Sequence, residues 1–389
     1  MVYSSQGSAR NLSKAKILTF YAVGIVFALI LLEVLSFFVG SFLHRDMFSQ
    51  EEAYFAELSR EEFDRWRVSP WFDSELGWNL PTKNFTEAKP NCLNQMVTYS
   101  YQDEHRGSPG PGTAAVALFG DSYTYGEEVD DDSTTAAALE RLIKAPVLNY
   151  GVPGFSPEQA VLKFERLARS RQMPKVAVLV IMHEDIRRVV NSFRPANASR
   201  FDTRMGLKPY IVEDAVIEAP SIASYEEFIA EAKRRFEDDF WARPAFRFPY
   251  SVSLLRAVIS NAFFIPRIAS LGRPQFSYEY ETDGPLLRAL TAAINRWRTS
   301  ASNAGVMPFV LFVPLNGGDA GVSGQYVKSL NASAGQAFAF EFADPTIDWS
   351  RYNLKPKGAC HPSGYGHERI AAFIASHIIA SSLSSVSRQ

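Results

Sequence analysis

In the stretch Val116–Glu128, VALFGDSYTYGEE, an apolar strand pattern ends at a glycine that is followed by an aspartate and a serine. The apolar run 114–119 predicts a buried β-strand, which Gly120-Asp121-Ser122 interrupts. Ser122 then lies just beyond the carboxyl end of a strand, where open α/β sheets bind ligands. The alternative is that Asp121 and Ser122 only start a turn, since both residue types favour turns and helix caps.

Strand and helix patterns alternate after this stretch. Apolar runs predict strands at 147–150, 175–182, 308–314 and 338–343, and helical patterns occupy 133–144, 157–171, 285–299, 324–333 and 364–379. Such alternation predicts an α/β fold in which helices cover both faces of a parallel, flavodoxin-like sheet, giving three α/β/α layers. Residues 187–283 interrupt the alternation and predict a partly helical insertion.

The composition is that of an ordinary globular protein, with 47% apolar and 21% charged residues over 389 positions. A net charge of -2 gives no support for nucleic-acid binding. The two cysteines, Cys92 and Cys360, cannot form a zinc site alone, and no metal or cofactor is expected. A bridge between them and two free thiols both fit the sequence.

The N-terminal region carries a membrane signal. Residues 17–43 are apolar apart from Glu33 and are long enough to cross a bilayer, and no small-residue cleavage site follows them. Basic residues precede this run and acidic residues follow it, so the positive-inside rule predicts a cytoplasmic segment 1–16. We therefore expect a single-pass signal anchor in the cell inner membrane, a juxtamembrane leader 44–112 and a periplasmic domain 113–389.

Glu33 stands out because a charged side chain inside a bilayer is costly. One interpretation is that Glu33 contacts a partner protein in the membrane. The second interpretation is that it lies toward the outer leaflet, where it snorkels to the interface or is protonated.

A histidine near the C-terminus is the natural partner of Ser122. The stretch CHPSGYGHERIA (360–371) places His361 in a loop ahead of the last helix, where it can meet Ser122 across one sheet edge. Imidazole is the usual base that activates a serine at neutral pH. His367 is a rival base, but it falls within the last helix and is expected on its surface.

Three blocks of the sequence resemble those of the SGNH (GDSL-type) hydrolases. The resemblance covers about 114–185 and 305–380, and DSELGW…YQDEHRG upstream looks like the leader of membrane-anchored bacterial members. The blocks are FGDSYTYGEEV (119–129), LNYGVPGFSPEQA (148–160) and CHPSGYGHERIA (360–371).

The resemblance implies roles for three of these residues. Ser122 is the expected nucleophile and His361 the expected base. The backbone amides of Ser122 and Gly154 are expected to form the oxyanion hole, and no cofactor is implied.

A further block of the family, the third in the family's own order, departs from the family pattern in this chain. Family members carry an asparagine that donates to the oxyanion, whereas IMHEDI (181–186) has Glu184 at that position. An ionised carboxylate cannot donate a hydrogen bond and would repel a developing oxyanion. Either Glu184 points elsewhere, or His183 supplies a donor, or the hole has only the two backbone amides.

The triad acid is the second departure. The family places an aspartate three residues before the catalytic histidine, and Gly358 stands there in this chain. A Ser–His dyad oriented by a backbone carbonyl would need no acid at all. If an acid is present, the candidates are Asp348, Asp344, Glu184 and Asp185.

These features predict a membrane-anchored, extracytoplasmic serine esterase that forms an acyl-enzyme on Ser122. The resemblance implies an acylated carbohydrate as substrate, with O-acetyl groups on envelope or exported polysaccharide. One alternative is a polysaccharide O-acetyltransferase, in which a sugar hydroxyl intercepts the acyl-enzyme. Another is an inactive SGNH-like scaffold that binds polysaccharide or a membrane complex, which Glu184 and Gly358 favour and the intact Ser122, Gly154 and His361 oppose.

Overall fold

The computed structural model describes residues 14–197, 206–212, 215–260, 272–273, 277–280, 284–355 and 360–386. Gly358 and residues 1–13, most of the expected cytoplasmic segment, lie outside the described residues. The chain divides into two compact units. The smaller unit comprises Met1–Gln50 and Arg243–Asn261, and the larger unit comprises Glu51–Ala242 and Ala262–Gln389.

The larger unit contains the sheet and most of the helices. The strands are β1 (Phe72–Asp73), β2 (Gly77–Trp78), β3 (Phe85–Pro90), β4 (Met96–Gln102), β5 (His105–Arg106), β6 (Val116–Phe119), β7 (Val147–Asn149), β8 (Val176–Met182), β9 (Tyr210–Val212), β10 (Ala215–Ile217), β11 (Met307–Val313) and β12 (Ala339–Glu341). The described helices are α1 (Lys14–Met47), α2 (Glu51–Glu57), α3 (Arg60–Arg67), α4 (Ser122–Tyr125), α5 (Thr135–Ile143), α6 (Pro157–Ser170), α7 (Arg194–Asn197), α8 (Tyr225–Asp238), α9 (Tyr250–Ser260), α10 (Pro285–Asn303), α11 (Gly324–Ala334), α12 (Trp349–Tyr352) and α13 (Gly364–Val386).

The main sheet has eight strands in the order β12-β11-β8-β6-β7-β5-β4-β3. The five strands from β12 to β7 are parallel, and β5, β4 and β3 extend the sheet in antiparallel pairing. The sheet is therefore mixed rather than wholly parallel. The three antiparallel strands come from the leader segment 44–112, whose backbone completes one edge of the sheet.

Alternate side chains of β8 pack on opposite faces of the sheet, because successive side chains of a strand point to opposite sides. Ala177, Leu179 and Ile181 join the core beneath α6 and α10, which supply residues such as Phe164 and Trp297. The intervening side chains of β8 join the core beneath α5 and α13. Both faces are buried, and this confirms the predicted α/β/α layers.

The insertion 187–283 is partly helical, as predicted. Within the larger unit it forms the β9–β10 hairpin and α8. Aromatic side chains of α8 join a small separate core with α2 and α3, which includes Tyr54, Phe63, Phe228 and Phe236. The insertion thus packs on the juxtamembrane helices of its own unit.

The smaller unit is built on α1, which has 34 residues. Its segment Lys14–Phe42 contains an 18-residue window with a mean hydropathy of 2.7. The segment is long and apolar enough to cross a membrane. The short apolar helix α9, from the insertion, belongs to the same unit.

Candidate active site

Ser122 lies at the carboxyl end of β6, at the start of the short helix α4. Asp121 caps that helix, since its Oδ1 accepts a hydrogen bond from the Tyr123 amide at 2.9 Å. Gly120 lets the backbone pass close to β8, because a Cβ at this position would lie 2.5 Å from the carbonyl oxygen of Val180. The nucleophile loop is therefore shaped by its glycine and its cap, and Ser122 is 5% exposed.

His361 meets Ser122 across the sheet edge, 239 residues apart in sequence. The His361 Nε2 atom lies 2.9 Å from the Ser122 Oγ atom. The imidazole ring also packs edge-on against Tyr123, with ring centroids 5.7 Å apart. The structure thus brings together the two residues predicted from sequence.

Glu128 is hydrogen-bonded to His361 at Nδ1, whereas Glu127 Oε2 lies 3.4 Å from His361 Nε2. The Glu128 Oε2 atom lies 3.0 Å from His361 Nδ1 and also accepts a hydrogen bond from the His361 amide at 2.8 Å. Its Oε1 atom accepts a hydrogen bond from the Cys92 amide at 3.0 Å. The backbone φ of Glu128 is +74°, a region that residues other than glycine seldom occupy. Such strain clusters at functional sites, because the surrounding contacts must hold it in place.

Charges around His361 set its protonation. Burial would lower the pKa of His361, but its hydrogen bond to Glu128 and the negative charge of Glu127 raise the pKa above the ordinary 6.5. Burial would raise the pKa of Glu128, but the hydrogen bonds from His361 and Cys92 outweigh this and lower it. Glu128 is therefore ionised at neutral pH. In the tautomer with a proton on Nδ1, His361 donates to Glu128 and presents Nε2 as an acceptor to Ser122.

The raised pKa of His361 predicts the pH dependence of any serine-dependent activity. Protonated His361 cannot accept the Ser122 proton, so kcat/KM should rise with pH through an apparent pKa above 6.5. The measurement is kcat/KM on an aryl ester between about pH 5 and 9, corrected for spontaneous hydrolysis. A profile that is already flat at pH 6 would contradict this assignment.

Cys92 and Cys360 form a disulfide with their Cα atoms 6.3 Å apart. Cys92 donates its amide to Glu128, and Cys360 immediately precedes His361. The bridge therefore joins the two chain segments that hold the acid and the base together. The two sulfur atoms lie near the Glu128 carboxylate, but in a disulfide they are not thiolates and so do not form a thiolate metal site.

Removing the bridge is expected to lower both stability and activity. The disulfide closes a loop across 268 positions, and its loss in a Cys92→Ser, Cys360→Ser variant should cost on the order of 2–4 kcal/mol of unfolding free energy. Looser positioning of Glu128 against His361 should lower kcat/KM by roughly 10- to 100-fold. Thermal unfolding and kinetics well below the melting temperature measure the two effects separately. Wild-type values for both would show that the bridge does not position the site.

The loop that carries Gly154 lies against the nucleophile loop. The Val152 amide donates to the Gly120 carbonyl oxygen at 3.0 Å, and the Trp78 indole donates to the Pro153 carbonyl oxygen at 2.9 Å. Gly154 has a φ of +77°, in the left-handed region that glycine adopts without strain. The two residues before Gly154 are therefore fixed by hydrogen bonds, one of which is to the loop of Ser122.

The buried side chain of Arg188 contacts both the loop of Ser122 and the loop of Gly154. Its guanidinium lies 3.1 Å from the Phe155 carbonyl oxygen, 3.3 Å from Asp121 Oδ2 and 2.6 Å from Asp185 Oδ1. The residue after Gly154 and the residue before Ser122 thus share one cation. This links the candidate oxyanion loop to the candidate nucleophile loop.

The surroundings of His183 and Glu184 do not favour either side chain as an oxyanion donor. His183 is fully buried, with Nε2 3.4 Å from the Ser323 hydroxyl, and burial lowers its pKa to about 4. Burial would raise the pKa of Glu184, but the positive charge of Arg188 and neighbouring arginines lowers it. Glu184 is therefore a carboxylate and cannot donate. The prediction that the backbone amides of Ser122 and Gly154 form the oxyanion hole still stands as a prediction.

The four acids proposed from sequence have partners away from His361. Asp344 pairs with Arg369, and Asp348 caps α12 through the Ser350 amide at 3.0 Å. Asp185 and Glu184 lie near Arg188, with Glu184 Oε1 3.9 Å from that guanidinium. The structure replaces these candidates with Glu128 as the acid hydrogen-bonded to His361.

Sequence reasoning missed Glu128 because it lies only six residues after the nucleophile. The sequence offers no signal that distinguishes it from Glu127. The expectation for His367 was also wrong: it is fully buried rather than on the helix surface, with Nδ1 2.8 Å from the Thr135 hydroxyl. Burial lowers the pKa of His367 to about 3, so it stays neutral.

Several solved structures are similar to this chain, whereas no family model and no curated protein matches it. A protein assigned to the G-D-S-L lipolytic family from Desulfitobacterium hafniense is 10% identical, with a TM-score of 0.35 over 68% of this chain and 99% of its own. A G-D-S-L family member from Veillonella parvula is 13% identical, with a TM-score of 0.31 over 67% and 97%. An acetyl xylan esterase from the rumen bacterium Butyrivibrio proteoclasticus is 9% identical, with a TM-score of 0.33 over 73% and 68%.

These three structures and a further similar one are of G-D-S-L lipolytic proteins and carbohydrate esterases. With TM-scores below 0.5, these likenesses carry no argument about residue roles or substrate.

Proposed function

We propose that this chain is a serine esterase, anchored in a membrane, that hydrolyses ester groups outside the cytoplasm. One observation carries the proposal. A continuous path of hydrogen-bonding atoms runs from Ser122 Oγ to His361 Nε2 over 2.9 Å, and from His361 Nδ1 to Glu128 Oε2 over 3.0 Å. A nucleophile, a base and an acid that orients the base form the arrangement that activates serine.

The first half-reaction forms an acyl-enzyme. Ser122 Oγ attacks the ester carbonyl carbon while its proton passes to His361 Nε2, and ionised Glu128 stabilises the imidazolium. The carbonyl oxygen of the ester becomes an oxyanion, for which the amides of Ser122 and Gly154 are the proposed donors. As the tetrahedral intermediate collapses, His361 gives the proton to the departing alcohol.

The second half-reaction frees the enzyme. His361 takes a proton from a water molecule, and the resulting hydroxide attacks the acyl carbonyl carbon. Ser122 leaves with the proton returned by His361, and the carboxylic acid is released. The chain's own side chains account for every proton transfer.

The location is supported by two independent features. The segment Lys14–Phe42 is long and apolar enough to cross a bilayer, and basic residues precede it. The larger unit contains the Cys92–Cys360 disulfide, and disulfides persist mainly in oxidising compartments outside the cytoplasm. Both features favour an uncleaved anchor in the inner membrane with the larger unit outside.

O-acetyl groups on envelope or exported polysaccharide are the substrate that we propose. Such glycans lie in the compartment proposed for the larger unit, and the sequence blocks resemble a family whose members cleave such esters. This assignment rests on location and resemblance. The scaffold alternative loses one of its two supports, because Glu128 is hydrogen-bonded to His361 although the Gly358 position offers no acid. The support from Glu184 stands.

Trapping the nucleophile tests the esterase. Full-length protein in detergent would be treated with a fluorophosphonate, which reacts with activated serines, and the modified peptide would be identified by mass spectrometry. We expect modification at Ser122, together with acetate release from an aryl acetate and from an acetylated polysaccharide. A Ser329→Ala variant, changed on the exposed surface of α11, should behave as wild type.

The outcomes distinguish the esterase from its two rivals. No labelling and no acetate release by folded protein would overturn the esterase and favour the scaffold. Labelling at Ser122 with acetyl transfer to an added sugar, instead of acetate release, would show an O-acetyltransferase that uses the same acyl-enzyme.

A further inference from the structure

A second segment of the chain packs along α1 in the smaller unit. The Ser49 amide donates to the Pro244 carbonyl oxygen at 3.1 Å, and the ring centroids of Phe48 and Phe246 lie 4.6 Å apart. A Cβ at Gly40 would overlap the Phe246 ring, so this ring lies directly on the α1 backbone. The segment therefore follows α1 back from its C-terminal end.

The contact ends at Glu33, the charged residue within the apolar run. Glu33 Oε2 accepts a hydrogen bond from the Tyr250 amide at 2.6 Å, and Glu33 also contacts the amide and hydroxyl of Ser251. Tyr250 and Ser251 begin α9, and the first amides of a helix have no acceptor within it. A carboxylate is well suited to this position, because it meets the positive end of the helix dipole.

This contact lies deep along the helix. Glu33 precedes the end of α1 at Met47 by 14 residues, which corresponds to about 21 Å at the α-helical rise. Both interpretations of Glu33 from the sequence lacked a partner within the chain, and the structure supplies one. Since lipid provides no hydrogen bonds, a polar cap between two helices is the form in which such groups are satisfied there.

Apart from Arg256, the exposed side chains described in α9 are apolar. Leu255 and Ile259 are 59% and 69% exposed, whereas Ser253 and Ala257 on the opposite face are buried. These exposures match those of the apolar side chains of α1, where Leu29 is 56% exposed. The apolar surface of the expected membrane span therefore continues onto α9.

We propose that residues 243–260 form a second membrane-embedded element whose partner is the hydrocarbon of the outer leaflet, docked on α1 and capped by Glu33. The inference rests on the proposed role of α1 as membrane anchor. The long aliphatic stem of Arg256 is compatible with this depth, because such a stem can lie in hydrocarbon. The larger unit would then be connected to membrane-embedded chain on both sides of residues 51–242.

Environment-sensitive probes at three positions test the proposal. Single cysteines would be introduced by Leu255→Cys in α9, Leu29→Cys in α1 and Ser329→Cys on the exposed surface of α11. Cys92 and Cys360 are bridged and should not react. Each full-length protein would be labelled with a thiol-reactive NBD dye and placed in phosphatidylcholine vesicles with and without nitroxide-labelled lipid.

We expect the Leu255 probe to be quenched by the nitroxide lipid to an extent comparable with the Leu29 probe, and the Ser329 probe to be unaffected. A Leu255 probe that behaves like Ser329 while Leu29 is quenched would overturn the proposal and leave the anchor standing. If Leu29 also behaves like Ser329, the anchor itself is wrong, and the embedded element fails with it. Esterase activity is measured separately and is not at stake.

The cap is tested by hydrogen exchange in the same vesicles. A Glu33→Leu variant should exchange the amides at the start of α9 faster than wild type. Glu33→Gln, which keeps an acceptor oxygen, should restore much of the protection. Val34→Ala, on an exposed part of α1, is the matched control and should not change exchange. Equal exchange in Glu33→Leu and Val34→Ala would overturn the role of Glu33.

Discussion

Ser122→Ala is expected to lower kcat/KM on an aryl acetate by roughly 10⁴-fold or more, which is the scale seen when a nucleophile that acts with a base is removed. The alanine variant leaves His361 and Glu128 in place but has no oxygen to attack the ester. Little structural change is expected, because Ser122 makes its main side-chain contact with His361. Initial rates of full-length wild type and variant at pH 8 measure the effect.

The size of the loss is informative because His361 could also activate water directly. A variant that keeps more than about a tenth of the wild-type rate would mean that the reaction does not pass through Ser122. Ser329→Ala, which also removes a serine hydroxyl but far from the site in sequence, controls for handling and should keep the wild-type rate.

Glu128→Gln is expected to lower kcat by roughly 10²- to 10⁴-fold. The glutamine amide can donate to His361 Nδ1 and so stabilise the tautomer that carries its proton on Nε2. That tautomer cannot accept the Ser122 proton. The neutral amide also fails to stabilise the imidazolium that forms during attack. Steady-state kinetics with a saturating aryl ester measure the loss.

The pH profile distinguishes this role from a structural one. The hydrogen bond and charge of Glu128 raise the pKa of His361, so the acid limb of the variant should move to lower pH. Asp348→Asn is the matched control, because sequence reasoning named Asp348 as a candidate acid and the structure places it at the start of α12. If Asp348→Asn rather than Glu128→Gln lowers kcat and moves the limb, the assignment of the acid is wrong.

The layered fold followed from local patterns. Alternating apolar runs predicted β8 and β11 to within one residue, and the capping pattern predicted the start of α6 at Pro157. Strands buried on both faces and capped helices depend on residues close together in the chain, so a single sequence displays them. The antiparallel strands β3–β5 were missed because they join the sheet only where β5 pairs with β7, and that pairing depends on residues distant in sequence.

The site divides in the same way. Ser122 and His361 stand at a strand end and ahead of a helix, and these boundaries are visible in the sequence. The position of Glu128 is not visible in the sequence. Its contact with His361 depends on the left-handed backbone conformation of Glu128 and on the hydrogen bond from the Cys92 amide to its other oxygen. Glu33 likewise gained a partner from a segment 217 residues away.

The α/β alternation, the apolar N-terminal run and the two residues expected to form the nucleophile–base pair could all be predicted from the sequence. Each of these follows from hydrophobic periodicity or from turn-forming residues within a short stretch of the chain. Three features could be seen only in the folded chain: which carboxylate lies against His361, the bridging of Cys92 to Cys360 and the partner of Glu33. Each of those depends on which distant segments meet, and that is set by the packing of the whole chain rather than by any local pattern.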